Sequence, residues 1–295
     1  MSVLRIATRS SAQARAQSEA IADLITKSHP SVAVEFVYVD TQGDLNATTP
    51  LHQMGGQGVF VKEVQRAVLD GRADIAIHSA KDLPSQQAEG LIIGAVGKRR
   101  TPNDALVGCR LDDLAHGATV ATGSVRRKAQ LSRLRPDLVF TELRGNIQTR
   151  LSKVPENGAI VMAVAALEIL GLTDRIAEVL PVDIAVPMVG QGSVAVEARA
   201  DDQTTLDILS AIDDADSRRA IEAERAFLFE LGAGCSLPVA AHLSADGVFR
   251  AFMASDAGDE MVQIEGFIGQ SDDHVVIGTA SAIECRERLA KAREK

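Results

Sequence analysis

The chain reads as short apolar runs separated by longer segments whose apolar positions recur every three or four residues. Residues 4–8, LRIAT, have the pattern of a short buried strand, and residues 11–28 follow with Ala16, Ala20, Ile21, Leu24 and Ile25 at helical spacing. The β-branched and aromatic run over 32–39, VAVEFVYV, predicts a second strand. Residues 41–58 are glycine-rich and lack periodicity, which predicts a mobile loop. A helix over 59–70 and strands at 73–77 and 91–96 complete this series. A second series starts near residue 105, with strands near 119–122, 138–143 and 159–164 and helices near 126–134, 146–154 and 165–171. Such alternation implies α/β layers with mostly parallel strands and right-handed crossovers. Residues 202–231 predict two helices joined near 213–216. Beyond Cys235, residues 237–270 are strand-like with turns at Asp246-Gly247 and Ala257-Gly258-Asp259, and a helix spans roughly 275–293. That tail predicts a small α+β domain.

Composition narrows the class. At 295 residues the chain is too long for one small core, so two or three domains are expected. It contains no Trp and one Tyr, and its formal net charge is −9, which together argue against a nucleic-acid-binding surface. No apolar stretch approaches a membrane span, and MSVLRIATRS runs into a strand without the layout of a signal peptide. The three cysteines, Cys109, Cys235 and Cys285, are too few and too far apart for a disulfide framework or a zinc site, so no metal is expected and a reducing cytoplasm is the natural setting.

Within this acidic chain one basic pattern recurs. ATRSS places Arg9 and Ser11 between a strand and a helix, and TGSVRRKAQL does the same with Ser124, Arg126 and Arg127. LRGNIQTRLSK repeats it with Arg144 and Arg150. Helix N-termini offer unpaired N–H groups, and arginine adds a forked donor set matched to carboxylates. One such loop is ordinary helix capping; three describe a pocket for a polyanion at the carboxyl ends of the strands. IAIHSAKDLPS adds a lysine and an aspartate, Lys81 and Asp82, where a buried strand surfaces. A solvated turn and a chemically active cleft both accommodate that pair. His78 is expected to be a hydrogen-bonded structural histidine, and Arg99 and Arg100 a solvated cluster between domains. GQG at 190–192 is expected to be a turn that only glycine fits. Cys235 sits between Gly232, Gly234 and Ser236 on an exposed loop, whereas Cys109 and Cys285 are expected to be buried and inert.

Taken together these segments resemble porphobilinogen deaminases. The resemblance runs in order through RIATRSS, GVFVKE, ADIAIHSAKDLP, TGSVRRKAQL, LRGNIQTRLSK, AVAALEILGL, VGQGSVAVEAR, AERAFL and GAGCSLPV. It implies two periplasmic-binding-protein-like α/β domains hinged about a cleft, the first over 1–97 and 192–213 and the second over 98–191, with crossings near 96–100 and 188–193. A third domain over 214–295 is small, α+β, and carries the cysteine. The family joins four porphobilinogen molecules head to tail with release of ammonia, then frees hydroxymethylbilane by hydrolysis. Its primer is a dipyrromethane cofactor, whose thioether anchor here would be Cys235. The resemblance makes Asp82 the catalytic aspartate, handling protons on cationic azafulvene-type species. It makes Lys81, Ser124, Arg126, Arg127 and Arg150 partners of the cofactor and Arg9, Ser11, Arg144 and Arg150 partners of substrate. The product chain on its primer carries about a dozen carboxylates, which fits a pocket that must desolvate many negative charges. The family also implies a cytoplasmic monomer.

Three departures stand out. The chain has Gln53 and Gln57 in QMGGQGVF where the family often has lysines, and Gln42-Gly43-Asp44 where it often has Arg-Gly-Asp. The first helix reads Ser11-Ala12-Gln13-Ala14 in place of the frequent Ser-Pro-Leu-Ala. Fewer lid cations predict weaker electrostatic capture of substrate. The competing class is a non-catalytic anion-binding protein of the same two-lobed architecture; it gives Cys235 no role.

Overall fold

The computed structural model describes residues 2–41, 58, 60–232, 237–255 and 258–292. Gln42, Gln53, Gln57 and Cys235 lie outside the described residues. The first sheet holds β1 (Ser2–Arg9), β2 (Val32–Val39), β3 (Ile75–Ser79), β4 (Leu91–Val96) and β10 (Val194–Arg199), in the order β2-β1-β3-β10-β4. Helices α1 (Ala12–Ser28) and α2 (Lys62–Leu69) belong with this sheet. The second sheet holds β5 (Asp104–Gly108), β6 (Thr119–Ala121), β7 (Val139–Thr141), β8 (Ala159–Ala163) and β9 (Glu178–Val179), in the order β7-β6-β8-β5-β9. Its helices are α3 (Val125–Leu134), α4 (Ile147–Leu151) and α5 (Val164–Glu168). Helix α6 (Gln203–Ser210) packs back on the first sheet. The last unit is an antiparallel meander of β11 (Val239–Leu243), β12 (Val248–Ala254) and β13 (Met261–Phe267), with α7 (Ala215–Glu230) and α8 (His274–Ala292) packed together beside it. No described helix is long and apolar enough to cross a membrane.

The two larger sheets share one plan. In each, three neighbouring strands are parallel, as β1 is with β2 and β3, and as β6 is with β7 and β8. In each, the next strand runs the other way: β10 is antiparallel to β3 and β4, and β5 to β8 and β9. Both reversed strands adjoin the segments where the chain passes from one sheet to the other. In each sheet four of the five strands therefore run the same way and one is reversed, so the strands are mostly parallel, as the alternation predicts, within a mixed sheet. Strands β3 and β8 are buried along nearly their whole length, which explains the apolar run Ile75–Ile77 in β3 and the unbroken apolar composition of β8. Strand β3 extends two residues past its apolar run, to include His78 and Ser79.

Separate cores underlie the three units. Ile6, Ile25, Ile75, Val196 and Leu209 fill the first, Leu106, Val120, Leu131, Val161 and Leu180 the second, and Phe227, Phe249 and Ala282 the third. Cys285 is buried in the third core, where burial pushes its thiol up to about 12. Cys109 is only half-buried, against the edge of the second core.

The connections between units are hydrogen-bonded to each other. Gly97 N–H donates to Val194 O at 3.0 Å, and Arg100 N–H to Gly192 O at 2.9 Å. Arg99 is not solvated, contrary to expectation. Its Nη atoms donate to both carboxylate oxygens of Glu224 at 2.5 and 3.1 Å, and its Nε donates to Gln191 O at 2.9 Å. Glu224, on α7 and fully buried, also accepts from Gly190 N–H at 2.8 Å and Leu243 N–H at 2.9 Å. One carboxylate thus holds both connecting segments against the third unit. Burial opposes its ionisation, but Arg99 and His242 outweigh burial and hold it near 2.

Candidate active site

The parallel strands of a sheet end on one side, so their loops gather there. At the end of β3 a single 3₁₀ turn, Ala80–Asp82, carries Lys81 and Asp82. Ala80 and Leu83 are buried on either side of the pair, and Ala80 N–H donates to Ser193 O at 2.9 Å. The turn is thereby pinned while its two charged side chains stay half-buried. Arg9 ends β1; its guanidinium lies 4.3 Å over the Phe60 ring. Ser11 caps α1, accepting from Ala14 N–H at 3.4 Å.

The second sheet supplies the opposing loops. Ser124 caps α3, accepting from Arg127 N–H at 3.4 Å, and Asn146 caps α4, accepting from Thr149 N–H at 2.9 Å. Arg150 Nε donates to Gly145 O at 2.8 Å, and Gly145 has φ +116°, in the region that favours glycine. Arg127 is buried, with Nη1 donating to Val161 O at 3.0 Å and Nη2 to Asp104 Oδ1 at 2.7 Å. Its Nε is buried with no hydrogen-bond partner among the described residues. Arg126 is also buried, donating to Val186 O at 2.7 Å and Asp104 Oδ2 at 2.8 Å. Burial acts to raise the carboxyl of Asp104, yet Arg126 and Arg127 hold it far below the usual carboxylate range.

Charges from both sheets converge on Lys81. Burial first, and then the nearby Arg127 and Arg150, bring its amine down to about 8 against the pull of Asp82 and Asp104. Arg150 is likewise brought down to about 10, by burial first and then by Arg127 and Arg144. Lys81 and Arg150, both depressed by cationic neighbours, and the unpartnered Nε–H of Arg127 make a site short of negative charge. A tetracarboxylate such as dipyrromethane fits that deficit. Between the lobes, Lys81, Gln13, Gln17, Ser79, Arg100 and Ser193 line a narrow crevice. A roomier groove of about 620 Å³, between α3 and β13, contains none of the clustered cations.

His78 lies within β3, 3.1 Å from the buried Glu197 carboxylate, which also accepts from Gln65. It braces the first sheet and takes no part in the cluster. Two members of the cluster were not foreseen from sequence. Asp104 opens the apolar strand β5, and that lone charge at a strand start was the available signal. Gln191 sits between two glycines, and its amide links Lys81 to Asp104.

Comparison with known proteins identifies the family. A family model described as "Porphobilinogen deaminase, dipyromethane cofactor binding domain" matches residues 4–207, and one described as "Porphobilinogen deaminase, C-terminal domain" matches residues 218–294. A porphobilinogen deaminase of Roseiflexus sp. (strain RS-1) is 43% identical over 93% of this chain and 88% of its own length. That of Nitratidesulfovibrio vulgaris is 44% identical over 84% of this chain and 81% of its own. Among solved structures, a TRAP periplasmic solute binding protein from Desulfovibrio salexigens shows a loose likeness, with a TM-score of 0.43 at 14% identity over 72% of each chain.

Proposed function

Because the chain belongs to the porphobilinogen deaminase family, we propose that Asp82 handles protons in the condensation of four porphobilinogen molecules, inside the cation cluster that receives their carboxylates. The protein is a transferase of porphyrin biosynthesis that uses a dipyrromethane cofactor and yields hydroxymethylbilane. The cofactor supplies the free pyrrole carbon to which the first substrate is joined.

The observation that carries the residue roles is the convergence of Lys81, Arg127 and Arg150 beside the turn holding Asp82. Lys81, Arg127, Arg150 and the Ser124 hydroxyl hold cofactor carboxylates. Arg9, Ser11 and Arg144, on loops that end parallel strands or start helices, take substrate carboxylates with Arg150. Arg126 supports this set by holding Asp104, which steadies Arg127. Asp82, acceptor-only when ionised, stabilises positive charge on a pyrrole N–H and moves the proton at that atom. Cys235, which lies between α7 and β11 in the sequence, anchors the cofactor. The lobes correspond to residues 1–97 with 192–213, and 98–191, with 214–295 as the third domain. We place the enzyme in the cytoplasm as a monomer that does not bind nucleic acid.

The test is Asp82→Asn. Removing a proton-transfer group lowers turnover by about 10²–10⁴. The folded protein and its covalent mass increment of two pyrrole units should persist, whereas Cys235→Ala should abolish that increment. Full turnover in Asp82→Asn, or an unchanged mass in Cys235→Ala, overturns the assignment.

A further inference from the structure

We propose that Gln191 is a positioning residue for this reaction: its side-chain amide ties Lys81 of the first lobe to Asp104 of the second and so aims the lysine's ammonium into the carboxylate pocket. The proposal rests on Lys81 being a carboxylate partner, as argued above.

Gln191 is 1% exposed, and its amide is fully used. Nε2 donates to Pro102 O at 2.7 Å and to Asp104 Oδ1 at 2.8 Å, while Oε1 accepts from Lys81 Nζ at 3.4 Å. Two acceptors on one side dictate which end carries the nitrogen, so the oxygen must face the lysine. Asp104 Oδ1 is the same atom that receives Arg127 Nη2. A continuous chain of hydrogen bonds therefore runs from Lys81 through Gln191 and Asp104 to Arg127.

The main chain leaves this side chain no slack. Gln191 N–H donates to Met188 O at 2.9 Å, and its carbonyl accepts from Arg99 Nε at 2.9 Å. Gly190 has φ +74°, and a Cβ there would stand 2.9 Å from Ala80 C and Lys81 N. Gly192 has φ +90°, and a Cβ there would stand 2.6 Å from Arg100 O. The two glycines let the glutamine press against the turn carrying Lys81. Around the ammonium, Arg127 and Arg150 repel, and Asp82 and Asp104 attract. The amide oxygen adds a neutral acceptor that holds one N–H and leaves two for ligand.

Glutamine alone meets both demands. Glutamate would oppose Asp104 with a second carboxylate and attract Lys81 more strongly. Methionine keeps the length and loses every hydrogen bond. The experiment follows Lys81 by the pH dependence of its ¹³Cε resonance in lysine-labelled, cofactor-loaded full-length protein, assigned by its absence in Lys81→Met. In Gln191→Met the midpoint should fall by about one pH unit, and in Gln191→Glu it should rise by a similar amount. The KM of Gln191→Met should rise about tenfold with a smaller change in kcat, as expected when a binding cation loses its support. If Gln191→Met does not fold, Gln191→Asn, an amide one methylene too short, should give the same downward shift. An unmoved Lys81 midpoint in every folded variant overturns the proposal. If Lys81→Met retains wild-type KM and cofactor occupancy, the carboxylate-binding role of Lys81 itself has failed, which is a separate result from the Gln191 titrations.

Discussion

Arg99→Met separates the two parts of the junction held by Glu224. The substitution keeps side-chain length and removes the cation. Glu224 would retain Gly190 and Leu243 N–H as donors but lose both guanidinium contacts while remaining fully buried. Removing one partner of a buried ion pair costs about 3–5 kcal/mol. Linkage gives a figure of the same size. A carboxyl lowered from 4.5 to about 2 contributes about 3.4 kcal/mol at pH 7 relative to its protonated form. The folded pKa is the depressed one, so this stability is present above pH 4.5 and is lost as pH falls through about 2. At pH 3 about 1.4 kcal/mol of it remains. In Arg99→Met the folded pKa rises, since burial is then opposed only by His242 and the two N–H donors, and most of the contribution is lost. Urea unfolding at the two pH values should show a deficit of about 3–5 kcal/mol at pH 7 that shrinks by about 2 kcal/mol at pH 3. A deficit below about 1 kcal/mol at pH 7, or one that does not change with pH, refutes the reasoning.

Gly190→Ala should destabilise by at least about 2 kcal/mol and depress turnover, because it combines left-handed strain with a clash against the turn bearing Lys81 and Asp82. Gly171→Ala is its control: φ is +65° there but no atom lies within 4 Å, so a cost of about 1 kcal/mol is expected by the same melting measurement. Protein prepared without cofactor should gain thermal stability from benzene-1,2,4,5-tetracarboxylate. The Lys81 amine is lowered to about 8, so the folded, ligand-free protein carries an unfavourable charge below that pH, which is relieved as pH rises from about 8 towards 10.5. A carboxylate ligand removes the same penalty, so its stabilising effect should be larger at pH 7 than at pH 9.5, and equal effects at the two values would count against the cluster.

The strands were legible because burial on both faces imposes unbroken apolar runs, as in β3 and β8. Strand direction was not. Nothing local in DALVG or VAVEAR reveals that the chain has just crossed between sheets and must enter antiparallel. Helix ends were blurred where no strong cap marked them: α4 closes at Leu151 rather than running to 154, and α5 closes at Glu168, ahead of Gly171. In the site, repetition of basic loops pointed to a polyanion, but adjacency concealed a division of labour. Arg126 and Arg127 are consecutive and share Asp104, but their other contacts differ: Arg126 donates to Val186 O and Arg127 to Val161 O. Of the two, Arg127 is among the neighbours that lower the Lys81 amine. Arg99 looked like a surface charge because its partner lies 125 positions away in the chain.

An acidic protein, with a formal net charge of −9, therefore gathers Lys81, Arg127 and Arg150 into one cluster, the place proposed for its anionic ligands. Screening makes this workable. At physiological ionic strength the potential of exposed charges decays over about 8 Å, so the acidic exterior has little influence inside a cleft walled by two lobes. Within the cleft the reverse holds: buried cations are poorly screened, and neighbouring arginines lower the proton affinity of Lys81 and Arg150. Asp104 limits that repulsion by sitting on two arginines at once, and Gln191 extends its reach to Lys81 without adding charge. A carboxylate in the place of that amide would partly fill the deficit the pocket maintains for its ligands. The scaffold thus uses one buried anion and one buried amide to hold the cations in place while leaving their charge available.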